Sequence, residues 1–290
     1  MVANEAALQP STPAGAAGLA ALLKDPARAV AAFDFDGTLA PIVPDPDQAR
    51  AHPGVLPALA RLAPHLAAVA VVTGRPAATA VSHAGFAGAP GLEHLTVLGH
   101  YGLERWDAAT GELSAPAEHP GIAALRRELP ALLAAGPVGS REVDGVTVED
   151  KGHALAVHTR RAADPAAALA ALDAPLRAAA AAHGLAVEPG RMVLELRPPG
   201  MDKGVALTSF LHEHDAGSVL FAGDDLGDVA AYDAVQRLRG TEGLDALLVC
   251  SAPTTGEPPV RELADRADLI VPGPEGVVAL IEALAGALGA

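Results

Sequence analysis

The chain has one cysteine, only 3% aromatic residues, and no cluster of Lys or Arg to set against a formal net charge of −15. Each shortage excludes something. A lone cysteine forbids an internal disulfide, and Cys250, in the apolar run "LDALLVC", reads as a buried strand thiol. With half the residues hydrophobic but so few aromatic, the core must be built from Ala, Val and Leu, which suits helices packed tightly on a sheet. An acidic chain with no basic patch is a poor partner for nucleic acid or an anionic membrane surface. An anionic small-molecule substrate would need local positive charge or a metal.

Long apolar runs are missing too. The stretch from Leu59 to Val72 is interrupted by Arg61 and His65, and "LIVPGPEGVVALIEALAGALGA" is broken by prolines and acids. The first twenty residues have neither a basic start nor an uninterrupted apolar core, so they do not read as a signal peptide. These points predict a cytoplasmic enzyme or binding protein, monomer favoured, with residues 1–28 as a flexible N-terminal tail. The length of 290 residues allows one large domain or two modest ones.

What is present is a regular alternation. "ARAVAAFDF", "AAVAVVTG" and "LTVLGHYG" read as strands, with helices at "PGVLPALARLAPH" and "RPAATAVSHAG" between them. The pattern resumes late in the chain, with helices from "DKGVALTSFLHEH" onward alternating with strands at "SVLFAG", "DALLVC" and "DLIV". This is the signature of a Rossmann-like parallel sheet with helices on its faces. The middle differs. Helices at "GIAALRRELPALLA" and "PAAALAALDAPLRAAAAAHG" are mixed with strand-like runs at "VTVEDKGHALAVHTR" and "RMVLELRPP". The expected fold class is α/β: a core of residues 29–107 and 201–290 with an α+β cap domain inserted at 108–200.

Four polar groups follow apolar strands or open helices: "FDFDGT" (Asp34, Asp36), "VVTGR" (Thr73, Arg75), "MDKG" (Lys203) and "FAGDDLGD" (Asp224, Asp225, Asp228). In an open parallel sheet the carboxyl ends of the strands share one crevice, where ligands bind. Singly, each group has an ordinary reading as a turn or helix cap. Lys203 is the exception, because a cation at a helix start opposes the helix dipole. Together they form a site for a phosphoryl group. Three carboxylates in one crevice call for a hard cation, Mg²⁺ by preference. Lys203 adds a second positive charge, Thr73 with the Gly37 turn can hydrogen-bond phosphoryl oxygens, and Arg75 is a candidate to help hold them as a substrate-binding residue. Asp34 is then free to attack phosphorus, and Asp36 to move the proton.

With these motifs the sequence resembles the haloacid-dehalogenase-like phosphatases, whose pattern is Asp-x-Asp-x-Thr, a strand ending in Ser or Thr, a Lys, and a paired-Asp motif. The resemblance implies Asp34 as nucleophile and Asp36 as general acid/base. It implies Mg²⁺ held by Asp34, the backbone carbonyl of Asp36 and Asp224, with Asp225 or Asp228 in support. The separation of 130 positions from Thr73 to Lys203 matches the subgroup with a cap inserted there. From about Val30 onward the chain resembles the trehalose-6-phosphate phosphatase family, on "FDFDGTLAPI", "VVTGRP", "GHYGLE", "VEDKGHALAVHTR", "LELRPPGMDKG" and "FAGDDLGDVAAYDAV". That resemblance implies hydrolysis of trehalose 6-phosphate. It places the family's cap pattern on Glu149, Lys151, His158, Arg160 and Glu195, of which Glu149, Lys151 and Glu195 would meet the sugar hydroxyls. The other readings are a phosphatase or mutase for another sugar phosphate, such as sucrose phosphate, and a non-catalytic regulatory module. Two departures stand out: His100-Tyr101-Gly102 replaces the usual Asn-His-Gly, and Gly227-Asp228-Val229 the usual Thr-Asp-Glu.

Overall fold

The computed structural model describes residues 8–134, 144–190, 192–200, 202–254, 256 and 258–289. The described residues form two compact units, one within residues 1–115 and 202–290 and the other within residues 116–201.

The first unit is built on an eight-stranded sheet of order β12-β11-β10-β1-β2-β3-β4-β5. The strands are β1 (Ala29–Phe33), β2 (Ala68–Val72), β3 (Leu95–Gly99), β4 (Glu104–Asp107), β5 (Leu113–Ser114), β10 (Ser218–Gly223), β11 (Asp245–Ala252) and β12 (Leu269–Pro272). The six from β12 to β3 are parallel, and β4 and β5 add an antiparallel edge. Their sequences explain why. β1 (AVAAF) and β2 (AVAVV) are apolar at every position and wholly buried, as a strand covered on both faces must be. Alternate side chains then serve two cores. Ala31, Phe33 and Val71 join Leu59 and Ile281 on one face, while Val30, Val72 and Phe221 join Phe210 and Tyr232 on the other.

The chain leaves β1 toward β2 on one side and returns later to β10 on the other. The strand order therefore reverses between β1 and β10, and a crevice opens beyond their carboxyl ends. Asp34 follows β1 and Asp224 follows β10, so both sit at that point.

The expectation of a loose tail over residues 1–28 is corrected. Residues 1–7 lie outside the described residues, but Pro13–Lys24 is a helix that buries Leu19 and Leu22. Thr12 caps it by accepting from Gly15 N–H, with proline at the first helical position. The helix lies so close to β11 that a Cβ on Gly18 would fall 1.8 Å from the Ala246 carbonyl oxygen. The small residues of this helix are what allow this approach. The core unit also runs to residue 115 rather than 107, because β5 pairs with β4.

The second unit has an antiparallel sheet of order β6-β7-β9-β8, formed by β6 (Thr147–Asp150), β7 (Leu155–His158), β8 (Ala186–Gly190) and β9 (Val193–Arg197). Helices Pro120–Ala134 and Pro165–Ala182 contribute Leu125 and Leu172 to a core with Leu155, Val157, Leu194 and Leu196 of the sheet. The residues between these on β7 and β9 point to the opposite face, which is polar.

Candidate active site

The center of the site is one ammonium among carboxylates. Lys203, the first residue of helix Lys203–Glu213, donates from Nζ to Asp34 Oδ1 at 2.6 Å and to Asp228 Oδ1 at 2.7 Å. All three residues are buried. The other oxygen of Asp228 accepts the backbone N–H groups of Asp224 (2.9 Å) and Asp225 (3.2 Å). Asp228 thus has both oxygens engaged and shapes the loop that carries Asp224. Asp225 is exposed and turns its carboxylate to Gly227 N–H as a helix cap. Of the two supporting candidates, the structure brings Asp228 to the cluster and leaves Asp225 at its rim.

Oxygens of Asp34, Asp224 and Asp228 lie within 4.8 Å of one another. Burial drives the Asp34 carboxyl well above its ordinary range; Lys203 offsets this in part, and Asp228 and Asp225 add to it. Asp224 is pushed up by burial and then by Asp34 and Asp228. Burial alone would lower Lys203, but Asp228 and Asp34 outweigh it, so the lysine stays charged. Burial lifts the carboxyls, and their negative charge in turn lifts Lys203: one ammonium cannot neutralize all three carboxylates.

The donor set fits a hard divalent cation. Asp224 Oδ1 is buried with no hydrogen-bond partner, and the Thr38 hydroxyl is likewise buried without one. An unpartnered buried carboxylate oxygen is costly unless a cation or water meets it. Gly37 packs against Asp224. At φ +80° it takes a conformation that favors glycine, and a Cβ there would fall 2.0 Å from Asp224 Oδ2. Ser251, at the end of β11, donates to the Gly37 carbonyl at 2.7 Å and ties this turn to the sheet.

Asp36 stands apart from the cluster. Arg75 grips its carboxylate with two hydrogen bonds, Nε to Oδ2 at 2.6 Å and Nη2 to Oδ1 at 2.8 Å. Thr73, buried at the end of β2, accepts Arg75 N–H with its hydroxyl at 3.1 Å. This leaves its hydroxyl hydrogen to donate elsewhere.

The His100-Tyr101 turn braces this loop. His100 N–H bonds the Arg75 carbonyl and Tyr101 N–H the Thr73 carbonyl, both at 2.9 Å. Both residues take positive φ, 46° and 59°. Two adjacent side-chain-bearing residues in that region are strained, and the paired backbone groups hold them there. Glu104 accepts Ala77 N–H at 2.6 Å and caps the helix that follows Arg75.

In the second unit, the register puts Glu149, Ala156, Glu195 and Glu188 in one row across the sheet. Thr147, His158 and Val193 form the next row on the same face, and Arg197 shares that face. Lys151 Nζ bonds Glu195 Oε2 at 2.7 Å, His158 Nε2 meets Glu149 Oε2 at 2.9 Å, and Arg197 bonds Glu188 at 3.1 Å. Four of the five sequence-expected cap residues therefore gather on one face. Arg160 lies in an exposed turn past the end of β7. The other Glu195 oxygen, Oε1, is buried without a partner.

Sequence reasoning missed Ser251, the capping role of Glu104, and the Arg197–Glu188 pair. Arg197 carried a signal: it is two residues from Glu195, so a strand places it on the same face. Ser251 carried a weaker one as the last buried residue of an apolar strand.

A family model described as Trehalose-phosphatase matches residues 32–260. A trehalose-phosphate phosphatase of Mycobacterium tuberculosis (strain H37Rv) is 38% identical over 214 residues, covering 70% of this chain and 50% of that protein. The chain spans about half the length of the curated relatives it matches. Among solved structures, the C-terminal domain of a C. albicans trehalose-6-phosphate phosphatase aligns with a TM-score of 0.72 at 21% identity, over 96% of this chain and 99% of that one. An Aspergillus fumigatus trehalose-6-phosphate phosphatase aligns over the same shares with a TM-score of 0.64 at 22% identity. At these identities the structural likeness speaks for the fold, a parallel-sheet core with an additional antiparallel sheet.

Proposed function

The chain belongs to the trehalose-phosphatase family, and from that premise we propose that it hydrolyzes trehalose 6-phosphate to trehalose and phosphate through a phosphorylated Asp34. The observation that carries this reading is the buried contact of Lys203 with Asp34 beside the unpartnered oxygen of Asp224. A cluster of buried like charges is expensive as mere structure and useful as a site for charge transfer.

Asp34 Oδ attacks phosphorus, the bond from phosphorus to the sugar oxygen breaks, and Asp36 gives its proton to that departing oxygen. Water then attacks the phosphoryl group on Asp34, Asp36 takes the water's proton, and phosphate leaves with Asp34 restored. Lys203 has a third N–H beyond those on Asp34 and Asp228, which suits a phosphoryl oxygen. The Thr73 hydroxyl donates to another. Asp34, Asp224 and the backbone carbonyl of Asp36 would hold Mg²⁺, with Asp228 orienting the Asp224 loop. When bound, the cation supplies the positive charge that three carboxylates and a phosphoryl group together lack.

On the cap, Glu149, Lys151 and Glu195 offer acceptors and donors to sugar hydroxyls, with His158 and Arg160 in support. Phosphate release from a panel of sugar phosphates, with and without Mg²⁺, tests the assignment. Trehalose 6-phosphate should give the highest kcat/KM, and Asp34→Asn should abolish turnover. A preference for sucrose phosphate would move the substrate assignment elsewhere, and no turnover of any phosphosugar would favor a regulatory module. An Asp34→Asn protein working at the wild-type rate would sink the mechanism.

A further inference from the structure

Arg75 looks at first like a phosphate ligand, since a cation beside a phosphoryl site has an obvious partner. The geometry points elsewhere, and we propose that Arg75 is the positioning residue for Asp36, acting on the reaction through that carboxylate rather than through the phosphoryl group. The inference rests on the proposed role of Asp36 in proton transfer.

Three observations carry it. The guanidinium fork is committed to Asp36 by two short bonds, 2.6 and 2.8 Å, the planar bidentate match that Arg makes and Lys cannot. The guanidinium is largely buried and lies 5.7 Å from the center of the Phe35 ring. Phe35 is the residue between the two catalytic candidates, so this contact ties Arg75 to the same loop a second time. Finally, the Arg75 backbone is fixed at both ends, by its N–H on Thr73 and its carbonyl on His100 N–H. A residue locked in this way sets the orientation of whatever it holds.

Asp36 needs such a guide. Its carboxylate is about a third exposed, while Asp34 is held in the interior by Lys203. An acid/base group loses efficiency when its oxygen wanders from the proton it exchanges. A carboxylate presents about four lone-pair sites, so the clamp leaves others for the proton.

The test compares Arg75→Met, Arg75→Lys, Asp36→Asn and the Arg75→Met/Asp36→Asn double variant. The substrates are trehalose 6-phosphate, whose sugar oxygen needs a proton to leave, and p-nitrophenyl phosphate, whose phenolate does not. Arg75→Met should lower kcat/KM for the sugar phosphate by about 10- to 100-fold. Its ratio to the aryl phosphate value should fall by about tenfold or more, as it should in Asp36→Asn. Arg75→Lys should remain low, because a point charge does not replace the fork. In the Asp36→Asn background, Arg75→Met should add less than about threefold. Binding of inorganic phosphate with Mg²⁺, measured by calorimetry, should stay within about threefold of wild type. Equal losses on both substrates, full additivity in the double variant, or a phosphate affinity that collapses in Arg75→Met would each overturn the proposal. If the wild type ignores trehalose 6-phosphate but cleaves the aryl ester, the substrate reading fails. The phosphate-binding and double-variant arms still decide the role of Arg75.

Discussion

At the residue scale the site is under tension, and its charges set what substitutions do. Stability falls as pH rises wherever the folded state holds more protons than the unfolded one. Burial lifts the carboxyls of Asp34 and Asp224 above the ordinary value of 3.8. Below that value both states are protonated and the penalty vanishes. Above it, the metal-free fold loses stability until the raised values are passed. In a chelator, Asp224→Asn should therefore be more stable than wild type near neutral pH, by about 1–2 kcal/mol. The advantage should shrink toward acid pH and on adding Mg²⁺. Urea titrations at several pH values would read this, and a variant no more stable than wild type at neutral pH would contradict it. Cys250 gives a simpler case. Burial, with Asp224 and Asp228 nearby, pushes its thiol up to about 11. The native protein should leave Ellman's reagent unreacted over minutes, and the denatured protein should react with one equivalent.

At the scale of elements, the helix Pro13–Lys24 shows what a composition-based reading loses. An Ala- and Gly-rich start looks like a tail because no polar pattern marks it. In the fold, Asp268 binds it. Its side chain accepts the Thr12 hydroxyl, an Arg239 N–H and the Leu248 N–H, and its carbonyl accepts Ser11 N–H. Gly15 and Gly18 then let the helix lie against Asp268 and Ala246. Gly18→Ala should cost about 1–3 kcal/mol, as overpacking does, with activity kept at temperatures where the protein stays folded. Thermal unfolding checks it, and an unchanged midpoint would mean the helix is not docked as described. The strands of the parallel sheet were legible, because burial on both faces demands continuous apolar runs. β4 (ERWD) and β8 (AVEPG) were not: one is mostly charged, and the other carries a proline that an edge strand tolerates.

For the whole molecule, the two units hold separate hydrophobic clusters. The second unit's cluster shares no residue with either cluster of the first. Leu194→Ala, in the second unit, should cost that unit about 2–5 kcal/mol. Amide exchange would then speed up across β7 and β9 while β1 and β10 keep their protection. Loss of protection in both units together would show that they unfold as one. Among the described residues no helix is long and apolar enough to cross a membrane.

The sequence by itself determined the strand-helix alternation and offered Asp34, Asp36, Thr73, Lys203 and Asp224 as candidates. Those follow from local patterns: apolar runs, the residues that end them, and spacing along the chain. Tertiary structure alone decided the partners. Lys203 meets Asp34 across 169 residues, Arg75 meets Asp36 across 39, and Ser251 meets Gly37 across 214. Which of Asp225 and Asp228 joins the cluster also turned on the loop's path and not on its composition. Hydrophobic burial acts residue by residue and leaves its record in order. An ion pair depends on where two distant segments come to rest, and no periodicity in the chain encodes that.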